Sequence, residues 1–399
     1  MPTRKDTVVI QADAGDADGR LLGVVILTRH GIRSPKENVA TLEKWSRKNW
    51  PEWPGTPGDL TERGRELVVA QWAALKPFFV RHGLIPEFGC PPASDYLVIA
   101  DEDQRTRQTA MAVFEGLLPL CHIRPKYGIL YDLLFHPDPA SYRMMNRKKA
   151  LAGVQAMLER MAEDPAIDEA LDLLQDITEC CRLSFCGELG GAEPCTLKGL
   201  PSHMQIDPRK PKLDMSGKWF TASTLAEIML LEYAQWPDRN AGWGMVDESV
   251  LQKLILIHNG VFNATHREPL LAKAGGAHML AWIRDTLLCE NAPKLTVLTG
   301  HDTNIACVSG LLGLHWAIPG QGKDSVIPGS FLSFERWKNT KNEEEIRICF
   351  SSPTFNSLHA WPAPKVIPVR VPVERGLYRP DAFSGKVDDV TGSPPDALP

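Results

Sequence analysis

The chain has 399 residues, 43% of them hydrophobic and 23% charged, enough for one large or two medium domains around a sizeable core. A net charge of −5 excludes nucleic acid and an anionic membrane as bulk partners, so an anionic ligand has to be drawn by a local cluster. No apolar run approaches the roughly 20 residues that span a bilayer, and the first residues, "MPTRKDTVVIQADAGDADGR", lack the apolar centre of a signal peptide. That leaves a cytoplasmic protein or a mature form, between which the cysteines have to decide.

In chain order, the first clear element is Val24–Leu27, short, β-branched and uninterrupted, as in a buried strand. It runs straight into "TRHGIRSP". There Arg29 and Arg33 supply forked donors that match phosphate oxygens, and His30 between them is a competent nucleophile when neutral. Gly31 permits a sharp turn and a close approach to a ligand. A second Arg-His-Gly, at Arg81–Gly83, lacks the following Arg-x-Pro. It reads as a helix C-terminus, with His82 capping before Gly83.

Tyr96–Ala100 is the next buried strand, followed by "DEDQRTRQT" and a helical pattern. An arginine in the first turn of a helix opposes the dipole, which points to a bound anion at Arg105; ordinary pairing with Asp101, Glu102 or Asp103 is the alternative. From Pro137 to His266 the periodicity is helical: "RKKALAGVQAMLERMAED", "DEALDLLQDITECCRL", "ASTLAEIMLLEYAQW" and "SVLQKLILIHNGVFN". Leu295–Leu298 is a third strand and leads into "TGHDTN", where His301 can donate to a phosphate and Asp302 can protonate a leaving oxygen or merely cap a helix. From Pro353 the chain carries nine prolines and reads as strand and irregular structure wrapped on the sheet, with "SPPDALP" loose at the end.

A strand, then polar residues, then a helix, three times over, is the pattern of an open α/β sheet. Such sheets bind ligands beyond the carboxyl ends of their strands, so the three polar stretches should converge. The expected organisation is an α/β domain from residues 1–136 and 267–399, an open central sheet with flanking helices, and an inserted mainly helical subdomain from 137–266. No Gly-rich phosphate loop is present.

The nine cysteines form no paired CxxC, which argues against structural zinc. Cys186 and Cys195 bracket a polar loop that suits a local disulfide. Nine reduced thiols remain the alternative on composition alone.

The motifs "RHGIRSP", "WPEWPGTPGDLTERGREL", "ADEDQRTRQTA", "GWGMV", "TGHDTNIACVSGLLGLHWAIPGQ" and "PGSFLSFERW" together resemble the histidine acid phosphatases, within them the bacterial phytase and glucose-1-phosphatase branch. The resemblance runs from about residue 22 to 350 and implies a phosphoglycerate-mutase-like fold. It implies that His30 becomes phosphohistidine, that Arg29, Arg33, Arg105 and His301 hold the phosphate, and that Asp302 protonates the leaving group. It implies no metal and no cofactor, the arginines supplying the positive charge. It also implies disulfides Cys90–Cys121 and Cys186–Cys195, with Cys180, Cys181, Cys289, Cys307 and Cys349 unpaired, hence an oxidising compartment, the periplasm. The expected partner is a small phosphate ester.

For the ester itself, Glu227 and Thr303 lean towards a phytase, and Lys36 could meet a second phosphate. Phytases usually carry a small hydroxyl residue directly after the motif's proline, and this chain does not. Arg267 aligns with a further substrate-binding arginine. A glucose-1-phosphatase or broad acid phosphatase is the alternative. More distant ones are a phosphotransferase such as a mutase and a non-catalytic phosphate-binding protein.

Overall fold

The computed structural model describes residues 19–191, 193–207, 212–360 and 366–392. The "SPPDALP" end lies outside these residues.

Gly19–Arg29 (β1), Tyr96–Ala100 (β2) and Leu295–Gly300 (β3) are parallel to one another. Phe331–Asn339 (β4), Glu344–Ser352 (β5) and Val369–Tyr378 (β6) continue the sheet antiparallel, in the order β6-β5-β4-β1-β3-β2. Arg29 stands opposite Gly300, and Ala100 opposite Thr299. The three motif-bearing strands therefore end on one row.

The uninterrupted aliphatic runs follow from cover on both faces. Val24 and Ile26 point to one side, where they meet Val68 and Trp72 of Glu62–Arg81 (α1) and Val113 and Phe114 of Gln104–Leu117 (α2). The middle of the chain supplies Arg147–Ala162 (α3), Pro165–Thr178 (α4), Lys218–Gln235 (α5) and Glu248–His266 (α6), which share a separate core. α5 is apolar almost all round and almost wholly buried, as a helix surrounded by others must be. Val25 and Leu27 point to the sheet's other side, against Pro269–Leu288 (α7) and Asp302–Leu312 (α8).

Two elements were not legible. A small hairpin pairs His203–Ile206 with Leu213–Ser216. The proline-rich tail, expected as strand and irregular chain, adds the edge strand β6 and then a helix, Pro380–Thr391 (α9), whose Phe383 and Val387 are fully buried. Pro380 at its first turn starts that helix instead of breaking it.

Cys90–Cys121 and Cys186–Cys195 are bridged, as the resemblance implied. Cys180 and Cys181, expected unpaired, are bridged to each other, a correction: a cis peptide between them sets their Cα atoms 3.0 Å apart and both side chains face the core. Cys289, Cys307 and Cys349 form no disulfide among the described residues.

Candidate functional site

The loop after β1 is clamped from three sides. The His30 amide donates to Gly300 at the end of β3 (3.0 Å), and the His30 carbonyl accepts from Gly329 (3.1 Å). Next to it, the Gly31 amide donates to Thr109 of α2 (3.1 Å). A Cβ on Gly31 would lie 2.8 Å from Val68, so the glycine is there for closeness of approach. The same holds across the contact: a Cβ on Gly64 of α1 would lie 2.1 Å from the Ile32 carbonyl oxygen.

His30 is buried, and its Nδ1 lies 2.8 Å from the Gly31 carbonyl. A carbonyl only accepts, so Nδ1 carries the hydrogen and the neutral ring keeps its lone pair on Nε2. Burial, then the charges of Arg29, His301, Arg105 and Arg33, hold this imidazole well below its ordinary pKa. The ring stays unprotonated in acid.

Arg29 is fully buried. Its guanidinium donates to the Val326 carbonyl (2.6 Å), is hydrogen-bonded to Glu227, and meets Asp302 Oδ2 at 2.7 Å. Arg33 binds the other Glu227 oxygen at 2.8 Å. Arg105, on the first turn of α2, is paired with Asp103. The Nε atoms of Arg29, Arg33 and Arg105 are buried without a partner.

His301 and Asp302 join β3 to α8. The His301 ring stands edge-on to His30, centroids 5.5 Å apart, and its Nε2 donates to Asp101 at 2.7 Å. Asp302 accepts from the Thr303 amide through Oδ1 (2.9 Å). Burial pushes its carboxyl up, but Arg29, His30 and Lys36 outweigh that and hold it well below the usual carboxylate range.

Beside Arg105, His301 and Asp302 opens a cavity of about 980 Å³, walled also by Lys36, His266 and Thr303 among others, with His30, Arg29 and Arg33 buried behind that wall. Lys36 is exposed within it. Thus His30, Arg29, Arg33, Arg105, His301 and Asp302 come together, with Lys36 at the wall.

Glu227 also arrives, but as a buried ion-pair partner of both arginines instead of a group offered to a ligand. Burial works to raise its pKa, and Arg33 and Arg29 bring it down to about 2. Arg267 does not reach the cavity. It packs against Gly310, donates to Ser309 Oγ (3.0 Å) and to the Leu314 carbonyl, and faces Asp324 at 3.8 Å.

Three neighbours were not singled out from the sequence. Asp101 orients His301. His258 touches Ser223 (3.0 Å) and lies beside Glu227 and Asp302, while His266 faces the cavity. Their one signal is spacing, since His258 and His266 stand eight apart in "HNGVFNATH", on one face of a helix. Two groups are close enough to share a cation, Asp101 with Asp103 and His301, and Glu227 with His258 and Asp302. In each, an arginine already neutralises carboxylates: Arg105 at Asp103, Arg29 at Glu227 and Asp302.

Sheet order and site together define an α/β protein with a cluster of arginines and histidines at the carboxyl ends of its parallel strands. The chain belongs to the histidine phosphatase superfamily (branch 2), whose profile matches residues 20–182. It is 30% identical to phytase AppA of Escherichia coli (strain K12) over 85% of this chain and 82% of the relative. It is 28% identical to a glucose-1-phosphatase of Salmonella typhimurium (strain LT2) over 82% and 79%. The structure of a Hafnia alvei phytase in complex with myo-inositol hexakis sulphate superposes with a TM-score of 0.78 at 30% identity, covering 94% of this chain and 98% of that one.

Proposed function

We propose that the chain is an acid phosphomonoester hydrolase working through a phosphohistidine at His30, with phytase-like preference for an inositol polyphosphate. The observation that carries this is the state of His30: Nδ1–H spent on the Gly31 carbonyl, Nε2 left with its lone pair, and arginine charge around it. Nε2 attacks phosphorus, the P–O bond to the leaving group breaks, and Asp302 gives that oxygen a proton. Arg29, Arg33, Arg105 and His301 hold the non-bridging oxygens. The Asp302 carboxylate then takes a proton from water as the water oxygen attacks the phosphohistidine and the P–N bond breaks.

A cavity of about 980 Å³ has room for far more than one phosphate, and Lys36 stands on its wall. That favours a polyphosphorylated ring over a small sugar phosphate. The glucose-1-phosphatase relatives keep the second reading alive. The cysteine bridges support an oxidising compartment, which we take to be the periplasm.

Alkaline denaturing quench of the enzyme turning over phytate, which spares the acid-labile P–N bond, should trap a phosphoenzyme labelled at His30, and His30→Ala should lose it together with turnover. An unlabelled wild type with full activity would rule the covalent route out. A panel of phytate, glucose 1-phosphate and 4-nitrophenyl phosphate ranks the two readings.

A further inference from the structure

The arginine aligned with a substrate ligand turns away, and its sequence neighbour takes the wall. His266 is the last residue of α6, its ring stacked on Phe262 with centroids 4.3 Å apart. The hydrogen count fixes its tautomer. Thr265 has one hydroxyl proton, and the Val261 carbonyl one helical turn back takes it at 2.9 Å. The Phe262 carbonyl, 3.1 Å from His266 Nδ1, can only accept. Nδ1 therefore carries the hydrogen, with the Thr265 oxygen a second acceptor at 2.9 Å. The ring lines the cavity, its neutral form keeps the lone pair on Nε2, and the hydrogen-bond contacts of His266 among the described residues are made through Nδ1.

We propose that His266 is a second anion ligand of this cavity: once protonated, its Nε2–H donates to a phosphate of the substrate other than the one being transferred. The idea rests on the phosphohydrolase reading and names the residue that makes a substrate with several phosphates preferred. Neutral, the ring would set a lone pair against phosphate oxygens; charged, it makes an ion-assisted bond.

The groups acting on His266 come from three elements: Asp302 of α8, Lys36 of the loop after β1, and His258 two turns back on α6. Across the opening lie Asp103, Arg105, Asp132, His136, Lys212, Asp214 and His301. Burial, aided by His258 and Lys36, disfavours the charged ring, while Asp302 favours it. The proton is taken up in acid, or with the arriving anion. Binding of a polyphosphate is thus coupled to proton uptake, whereas a substrate with one phosphate at His30 has no such term.

The test compares KM and kcat for phytate and 4-nitrophenyl phosphate from about pH 4 to about pH 7. In the wild type the phytate-to-nitrophenyl KM ratio should climb with pH. His266→Asn should raise that ratio about tenfold in acid and flatten its pH dependence. His266→Lys, charged throughout, should restore the acid value and hold it to neutrality. Equal effects of His266→Asn on both substrates, or an unchanged ratio, would overturn the proposal. Should the wild type hydrolyse neither ester, the enzyme reading fails separately. Calorimetry with myo-inositol hexakis sulphate then decides on His266 alone: tighter wild-type binding at low pH, absent in His266→Asn, supports it, and identical binding by the two proteins refutes it.

Discussion

Asp302 sits 2.7 Å from a buried guanidinium, which holds it as a carboxylate, not an acid. For the proposed chemistry it has to gain a proton when the ester arrives. Phosphate supplies the reason: it takes up the charge of Arg29 and places its own negative charge beside Asp302, and both changes raise that carboxyl. His30 shifts the opposite way, and its depressed pKa keeps the nucleophile unprotonated well below neutrality. Activity should therefore rise as pH falls, until His30 itself takes a proton. Asp302→Asn should cost about 100-fold more kcat on phytate than on 4-nitrophenyl phosphate, whose leaving group hardly needs a proton. Matching losses on the two would make Asp302 an organiser of Arg29 and nothing more.

At the level of elements, the site depends on how closely α1 and the loop after β1 approach. Thr61 caps α1 by accepting from the Gly64 amide (3.0 Å), and its own amide donates to the Ile32 carbonyl (3.0 Å). That carbonyl fills the space a Gly64 side chain would need. Gly64→Ala should cost about 3 kcal/mol or more, because backbone cannot step aside as a side chain can. Thermal melting should show the loss, with activity falling in the fraction that still folds. An unchanged melting temperature would mean the loop shifts freely.

What was legible in the sequence follows the same lines. Strands buried on both faces announce themselves, and the residues just past their ends were placed correctly relative to each other. Side-chain direction at a helix end was not legible: His266 and Arg267 are adjacent, both polar, and only packing against Gly310 says which turns inward. Glu227 enters the sequence reading through the family resemblance, not through anything in its own helix. Its true neighbours come from a loop 194 residues earlier, which periodicity cannot show. The hairpin at His203 and α9 were hidden by short length and by prolines.

The whole molecule carries net negative charge, and its stability should peak in mild acid. Two glutamates on α5 pull in opposite directions. Glu227, lowered to about 2, contributes stability that is present above the ordinary glutamate pKa and is lost as pH falls towards 2. Glu232 is buried against the Gly242 amide, and burial raises it to about 7. Its contribution is full below the ordinary value of 4.5 and disappears as pH climbs through 7. Glu232→Gln should leave stability at about pH 4 unchanged and add on the order of 3 kcal/mol above about pH 8, read from urea midpoints. A parallel shift at every pH would assign the effect to packing.

The strand order also dictates when this protein can begin to exist. Among the described strands β1 pairs with β3 and β4, and β2 with β3, β2 having besides only the short bridge to Lys126 on its outer edge. Until Leu295 has left the ribosome, the strand that leads into His30 has no hydrogen-bonding neighbour on either side. The first described element is among the last to be enclosed, and every earlier length of nascent chain leaves β1 without a neighbour and β2 with only the Lys126 bridge. Such a chain is slow to close and vulnerable while it waits. The same delay applies to the proposed chemistry: no partial product can align Arg29 with Gly300, so the proposed nucleophile gains its neighbours only after three quarters of the sequence has been synthesised.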